Sequence, residues 1–194
     1  MYEVIGATPS RATRVIWMLE ELGQPYTHTK VKPHSELVSK VNPSGKIPVL
    51  KVDDTALTDS TAIMTYLADK HGGMTFPAGT IERAQQDGLT NQILDEVDSL
   101  LWVAMRHTMI LPEEHRVPDV KHSLQWEFAR NVARLSKQLK GPFLMGERMT
   151  IPDIILTHCL NWAFSAKFMV EQENLLAYGK AMRARDTFKR ASAI

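Results

Sequence analysis

Residues Val41-Asn42-Pro43-Ser44-Gly45-Lys46-Ile47-Pro48-Val49-Leu50 constrain the fold more than any other stretch. Asn42-Pro43-Ser44-Gly45 is a turn signal, and a short apolar run follows it. Pro48 stands where that run begins. Proline has no ladder donor, so within a sheet it belongs at a strand's first residue or on an edge. A proline there leaves the backbone N–H and carbonyl of Ile47 outside the ladder and open to a ligand. A second signal follows at Leu57-Thr58-Asp59-Ser60-Thr61-Ala62-Ile63, a strand end running into a serine-capped helix. Taken singly, each signal also fits an ordinary turn, strand and helix.

The flanking pattern supplies the rest of an α/β unit. Tyr2–Ile5 reads as a strand, broken by Gly6-Ala7-Thr8-Pro9. Ser10 caps a helix with Ala12, Val15, Ile16, Leu19 and Leu22 at helical spacing, closed by Gly23 and Pro25. Tyr26–Val31 reads as a second strand and Ser35–Val41 as a short helix or turn. Val49–Val52 and Thr55–Leu57 form a hairpin about Asp53-Asp54, and Ser60–Lys70 is a helix. This order is thioredoxin-like. Met74–Gly79, with Pro77, reads as a linker, after which the pattern is wholly helical.

The expected helices there are Ile81–Thr108, Val120–Leu139, one opening at Thr150, and Tyr178–Ala191. Thr150 and Asp153 are spaced as a relative of the capping box, with Pro152 in the first turn and Met149 and Ile154 placed as a hydrophobic staple. The expected architecture is therefore α/β plus all-α. Residues 1–73 form a thioredoxin-like domain, 74–80 a linker, and 81–194 a C-terminal helical-bundle domain.

Composition narrows the function. The net charge of +1 gives no case for nucleic acid or an anionic membrane. The single cysteine, Cys159, excludes an internal disulfide framework and fits a reducing compartment. No apolar run approaches the ~20 residues of a membrane span, and Met1–Ile5 lacks the character of a signal peptide. The expectation is a cytoplasmic protein. Among the seven histidines none forms a His-Glu-x-x-His pair, so no metal is expected, and no Gly-rich phosphate loop points to a nucleotide.

At their spacing, Asn42–Leu50 and Leu57–Ile63 resemble the glutathione-binding half of the glutathione S-transferase family. Phe143–Ile154 resembles the capping-box segment of that family's helical domain, and Trp17–Tyr26 and Tyr178–Phe188 resemble bacterial members. Those members usually have proline where Asp186 stands. The resemblance implies a cis Ile47–Pro48 bond, with Ile47 pairing with the peptide backbone of glutathione. It implies Asp59 against the γ-glutamyl ammonium, although the family usually has glutamate or glutamine there. It further implies Ser60 and its helix N-terminus on the γ-glutamyl carboxylate, and Lys46 reaching the glycyl carboxylate. Such proteins are usually homodimers.

The family's chemistry is attack of the glutathione thiolate on a small hydrophobic electrophile. A free thiol has a pKa of about 8.5, so ionisation at neutral pH asks for about two units, or ~2.7 kcal/mol. A hydroxyl donor to the anion contributes about 1.5–3 kcal/mol and a helix N-terminus about 0.3–1 kcal/mol. Ser10 stands where bacterial relatives carry serine before arginine. Thr8 competes, since relatives reading Ser-Pro-Cys-Arg use the residue before the proline, and Ser10 could equally be only a cap. Arg11 would add positive potential.

The absence of cysteine from residues 1–20 argues against a thiol-transfer enzyme. Trp102, Met105, Arg106 and His107 are candidates for the electrophile wall, a stripe that could equally serve as core or dimer contact. A non-catalytic binding or interaction module, or a glutathione-dependent isomerase or peroxidase, are the alternative readings.

Overall fold

The computed structural model describes residues 1–194. Their contacts define two compact units, Met1–Arg83 together with Arg183–Ile194, and Ala84–Met182. Arg183–Ile194, expected within the helical domain 81–194, packs with the first unit.

In the first unit the chain runs β1 (Tyr2–Ile5), α1 (Ala12–Glu21), β2 (Tyr26–Thr29), α2 (Glu36–Val41), β3 (Val49–Val52), β4 (Thr55–Thr58) and α3 (Ser60–His71). The sheet order is β2-β1-β3-β4. β1 is parallel to β2 and antiparallel to β3, and β3 pairs antiparallel with β4. This is the expected thioredoxin-like arrangement. Val4, Ile5, Val49 and Leu50 bury its central strands, and Val15, Ile16 and Leu19 of α1 are fully buried.

α1 buries residues all round because α3 lies on one side and α9 (Asp186–Ser192) on another. Trp17 meets Phe188 edge-to-face at 4.9 Å. Glu21 accepts two bonds of 2.7 Å from the Arg185 guanidinium, and further bonds from the Thr187 hydroxyl and the Trp17 indole. Burial would raise the Glu21 carboxyl, but these donors hold it below its ordinary pKa.

Here the expected single helix Tyr178–Ala191 is two, α8 (Glu173–Ala184) and α9. The backbone is extended at Arg185 (φ −62°, ψ 136°), the residue that grips Glu21. A tertiary ion pair thus coincides with a break that helical periodicity does not reveal.

The second unit contains α4 (Ile81–Ile93, whose first residues belong to the first unit), α5 (Ser99–Met105), α6 (Val120–Ser136), α7 (Ile151–Ala166) and most of α8. The expected helix Ile81–Thr108 is a continuous helical run, but π-helical turns at Leu94–Asp98 and Arg106–Ile110 interrupt its α geometry. A π-turn accommodates one extra residue without changing the apolar pattern much, so periodicity does not disclose it.

The box at α7 forms as expected. Asp153 accepts from the Thr150 N–H (2.8 Å), the Thr150 hydroxyl (3.1 Å), the Leu144 N–H (2.9 Å) and the Tyr178 hydroxyl (2.9 Å). Full burial pushes its pKa up against those four donors. Met149 and Ile154 of the staple are both buried. No helix is long and apolar enough to cross a membrane.

Candidate active site

Strand register gathers the sequence signals at one end of the sheet. Ile5 pairs with Val49, and Val49 pairs with Thr58. Gly6, Pro48 and Asp59 therefore follow or precede adjacent positions in three neighbouring strands. Ile47 lies ahead of the ladder, which begins at Val49, and the Ile47–Pro48 peptide is cis.

Gly6 has φ +149°, and a Cβ on it would stand 3.0 Å from Ile47 Cβ and 3.2 Å from Ala12 Cβ. The first turn can thus pass close to Ile47 only as glycine. The approach brings the Gly6–Arg11 turn beside Ile47.

The turn before Ile47 is wired by Asn42. Its amide donates to the Lys46 carbonyl at 2.8 Å and accepts from the Ser44 N–H (3.2 Å) and hydroxyl (2.9 Å). Gly45 (φ +68°) packs against the His34 ring, and the His34 N–H donates to the Gly45 carbonyl at 2.7 Å. Asn42 belongs to the turn signal read from the sequence, whereas the support from His34 does not follow from it. The Asn-x-Ser spacing is the signal for the first, as such side chains bond the backbone two residues on. His34 carries no local signal. The Lys46 side chain is exposed.

Asp59 caps α3 with φ +67°, and its Oδ1 accepts from the Thr61 N–H (2.8 Å) and Ala62 N–H (3.0 Å). The Asp59 carbonyl takes the Ile63 N–H at 2.9 Å. Of the first-turn donors, Asp59 leaves the Ser60 N–H. The Ser60 side chain is buried at the same helix end.

Ser10 Oγ accepts the Ala12 N–H at 3.0 Å, and its carbonyl accepts the Thr13 N–H at 3.0 Å. It thus caps the approach to α1, whose regular turns begin at Ala12. Thr8 donates its hydroxyl proton to the Ile194 carbonyl at 2.6 Å. Arg11 is the residue immediately before α1 and is half-buried.

A model of the glutathione S-transferase N-terminal domain matches residues 10–70. Glutathione S-transferase GstA of Escherichia coli O157:H7 is 32% identical over 150 residues, covering 75% of this chain and 71% of the relative. The chain belongs to the glutathione S-transferase family of enzymes. Three other curated relatives are matched over 46%, 28% and 31% of their own length.

Among solved structures, a glutathione S-transferase from Pseudomonas fluorescens superposes with a TM-score of 0.80 at 27% identity, covering 96% of each chain. A theta-class glutathione S-transferase from Xanthomonas axonopodis pv. citri, solved with glutathione bound, shares the fold at a TM-score of 0.81 and 23% identity. That likeness covers 100% of this chain and 97% of the other.

The glutathione S-transferase signals in Lys46, Ile47, Pro48, Asp59 and Ser60, and those in Thr8, Ser10 and Arg11, all lie in the first unit. Trp102, Met105 and Arg106 lie in the second, on α5 and at the start of the π-turn after it, and all three are half-buried. Met105 also lines a cavity of about 400 Å³ within that unit, with Ala104, Trp162 and Phe168 among its walls.

Proposed function

We propose that this glutathione S-transferase family member binds glutathione at the Gly6–Ile47–Asp59 end of its sheet and transfers it to a small hydrophobic electrophile. The observation that carries this reading is the position of Ile47. Its backbone lies ahead of the ladder, on a turn fixed by Asn42, directly beside the α1 turn.

In this reading the Ile47 N–H and carbonyl pair with the peptide of glutathione, as an added strand would. Asp59 uses Oδ1 for its own helix and presents the rest of its charge to the γ-glutamyl ammonium. The Ser60 N–H and hydroxyl hold the γ-glutamyl carboxylate, as helix N-termini hold anions. Lys46, on its exposed turn, meets the glycyl carboxylate.

Ser10 is the assigned thiol partner. Accepting the Ala12 N–H orients its oxygen at the start of α1 and polarises it as a donor. Thr8 donates its own hydroxyl proton to Ile194. Arg11 adds positive potential to the same turn. The thiolate forms a bond to the electrophilic carbon, and a leaving group departs with its electron pair or a proton is taken up on addition. The protein contributes positioning and thiolate stabilisation. Trp102, Met105 and Arg106 contact the electrophile. The protein acts as a cytoplasmic homodimer in detoxification, requiring neither metal nor nucleotide for the transfer.

Ser60→Ala tests the glutathione site. A hydrogen bond to a charged group is worth about 1.5–3 kcal/mol, so calorimetry should show glutathione affinity falling about 10- to 100-fold. Unchanged affinity would remove Ser60 from the site.

A further inference from the structure

Away from the glutathione residues, three side chains of different donor type meet inside the second unit. Asp98 ends the π-turn Leu94–Asp98, and His158 and Cys159 are neighbours on α7. One donor atom from each lies within 4.8 Å of the others. Cys159 Sγ and Asp98 Oδ1 are 3.5 Å apart. Cys159 is fully buried and Asp98 is 5% exposed, while His158 is half-buried. We propose that Asp98, His158 and Cys159 bind one divalent transition-metal ion of the zinc type.

Ligand bond lengths of about 2.3 Å to sulfur and 2.0–2.2 Å to oxygen on a tetrahedron place those two donors about 3.6 Å apart. The Sγ–Oδ1 separation already matches that edge. A histidine nitrogen within 4.8 Å needs a shift of about 1 Å to reach the same geometry. His158 stands edge-on to Trp162 at 6.2 Å, which limits the ring's swing.

The donor set of thiolate, imidazole and carboxylate suits zinc or cobalt(II) rather than magnesium or calcium, which prefer oxygen alone. Charge balances as well, because a dication neutralises the two anions it would hold in a buried place. On binding, the Cys159 S–H bond breaks, the sulfur lone pair goes to the metal and the proton goes to solvent. A fourth position remains for water. His158, the most exposed of the three, marks the route in. The π-turn is part of this account, since such turns inside α-helices recur at functional sites. Local spacing could not find the cluster, because Asp98 lies 61 residues from Cys159.

The test is titration of the full-length, chelator-treated protein with cobalt(II) alone. The expected result is a thiolate-to-cobalt charge-transfer absorption that saturates at one ion per chain. His158→Ala should weaken binding about tenfold or more. Cys159→Ser should abolish the absorption, and Asp98→Asn should weaken binding. No charge-transfer absorption in the folded wild-type protein would overturn the proposal and leave Cys159 as a thiol bonded to Asp98. An absorption that survives Cys159→Ser, or an affinity unchanged by His158→Ala, would overturn it equally.

Discussion

Helices α3 and α7 each begin beside a carboxylate that accepts backbone N–H groups, yet the two carboxylates live in opposite surroundings. Asp59 is exposed and takes two first-turn donors, leaving the Ser60 N–H. Asp153 is fully buried and accepts four hydrogen bonds, drawn from α7, the Leu144 segment and α8. The same local chemistry, an aspartate at a helix start, thus closes one helix end into the core and holds the other open at the sheet's edge. Whether a cap serves folding or binding is decided by what surrounds it.

The sharpest break in that comparison is Asp153→Ala. It strands buried donors that cost about 1–3 kcal/mol each and removes a cap worth about 0.5–2 kcal/mol. Stability should fall by about 4 kcal/mol, which lowers the melting temperature of a chain this size by about 10 °C. Thermal and denaturant unfolding check it, and a shift under about 2 °C would show that the network adds little.

A third carboxylate, Glu21, tests the contribution of charge pairing. Its side chain is 6% exposed and grips Arg185, which is 34% exposed. Glu21→Gln should cost about 2 kcal/mol at neutral pH, below the range for fully buried pairs because Arg185 is partly solvated. Folding lowers the Glu21 pKa. Its contribution is therefore complete above the ordinary glutamate value of about 4.3 and disappears as pH falls through the folded pKa. The gap between wild type and Glu21→Gln should close in acid. Asp153 has the opposite sign, because burial raises its pKa, so the gap for Asp153→Ala should not close there. Denaturant melts across pH 3–7 separate the two, and a Glu21→Gln gap that stays constant would contradict the assignment.

The smallest effect on stability belongs to Asp59→Asn. Asparagine caps helices as well as aspartate and tolerates the positive φ at this position. The melting temperature should hold within a few degrees, while glutathione affinity falls about tenfold for want of a charge opposite the ammonium. Equal losses of stability and affinity would return Asp59 to the role Asp153 plays.

These differences explain what could be read in advance. The capping box at Thr150–Asp153 and the Asn42–Pro48 turn were legible because their chemistry is local, each residue bonding within a few positions along the chain. β1 and β3 were legible to the residue from apolar runs bounded by turns. The π-turns, the break at Arg185 and the support of Asn42's turn by His34 were not, because each answers to a neighbour distant in sequence or to one inserted residue. The same holds for the proposed site. The residue types at 46–48 and 59–60 were legible, but Thr8's bond to Ile194 crosses 186 positions.

The central claim is that Ser10 turns bound glutathione into a thiolate, and ultraviolet titration of the complex measures it directly. The wild-type complex should show the thiolate absorbance rising with a midpoint about two units below the free thiol's ~8.5. Ser10→Ala should move that midpoint back up by one unit or more, and Thr8→Ala should leave it in place. A midpoint at the free value in the wild-type complex, or one that moves only for Thr8→Ala, would contradict the account.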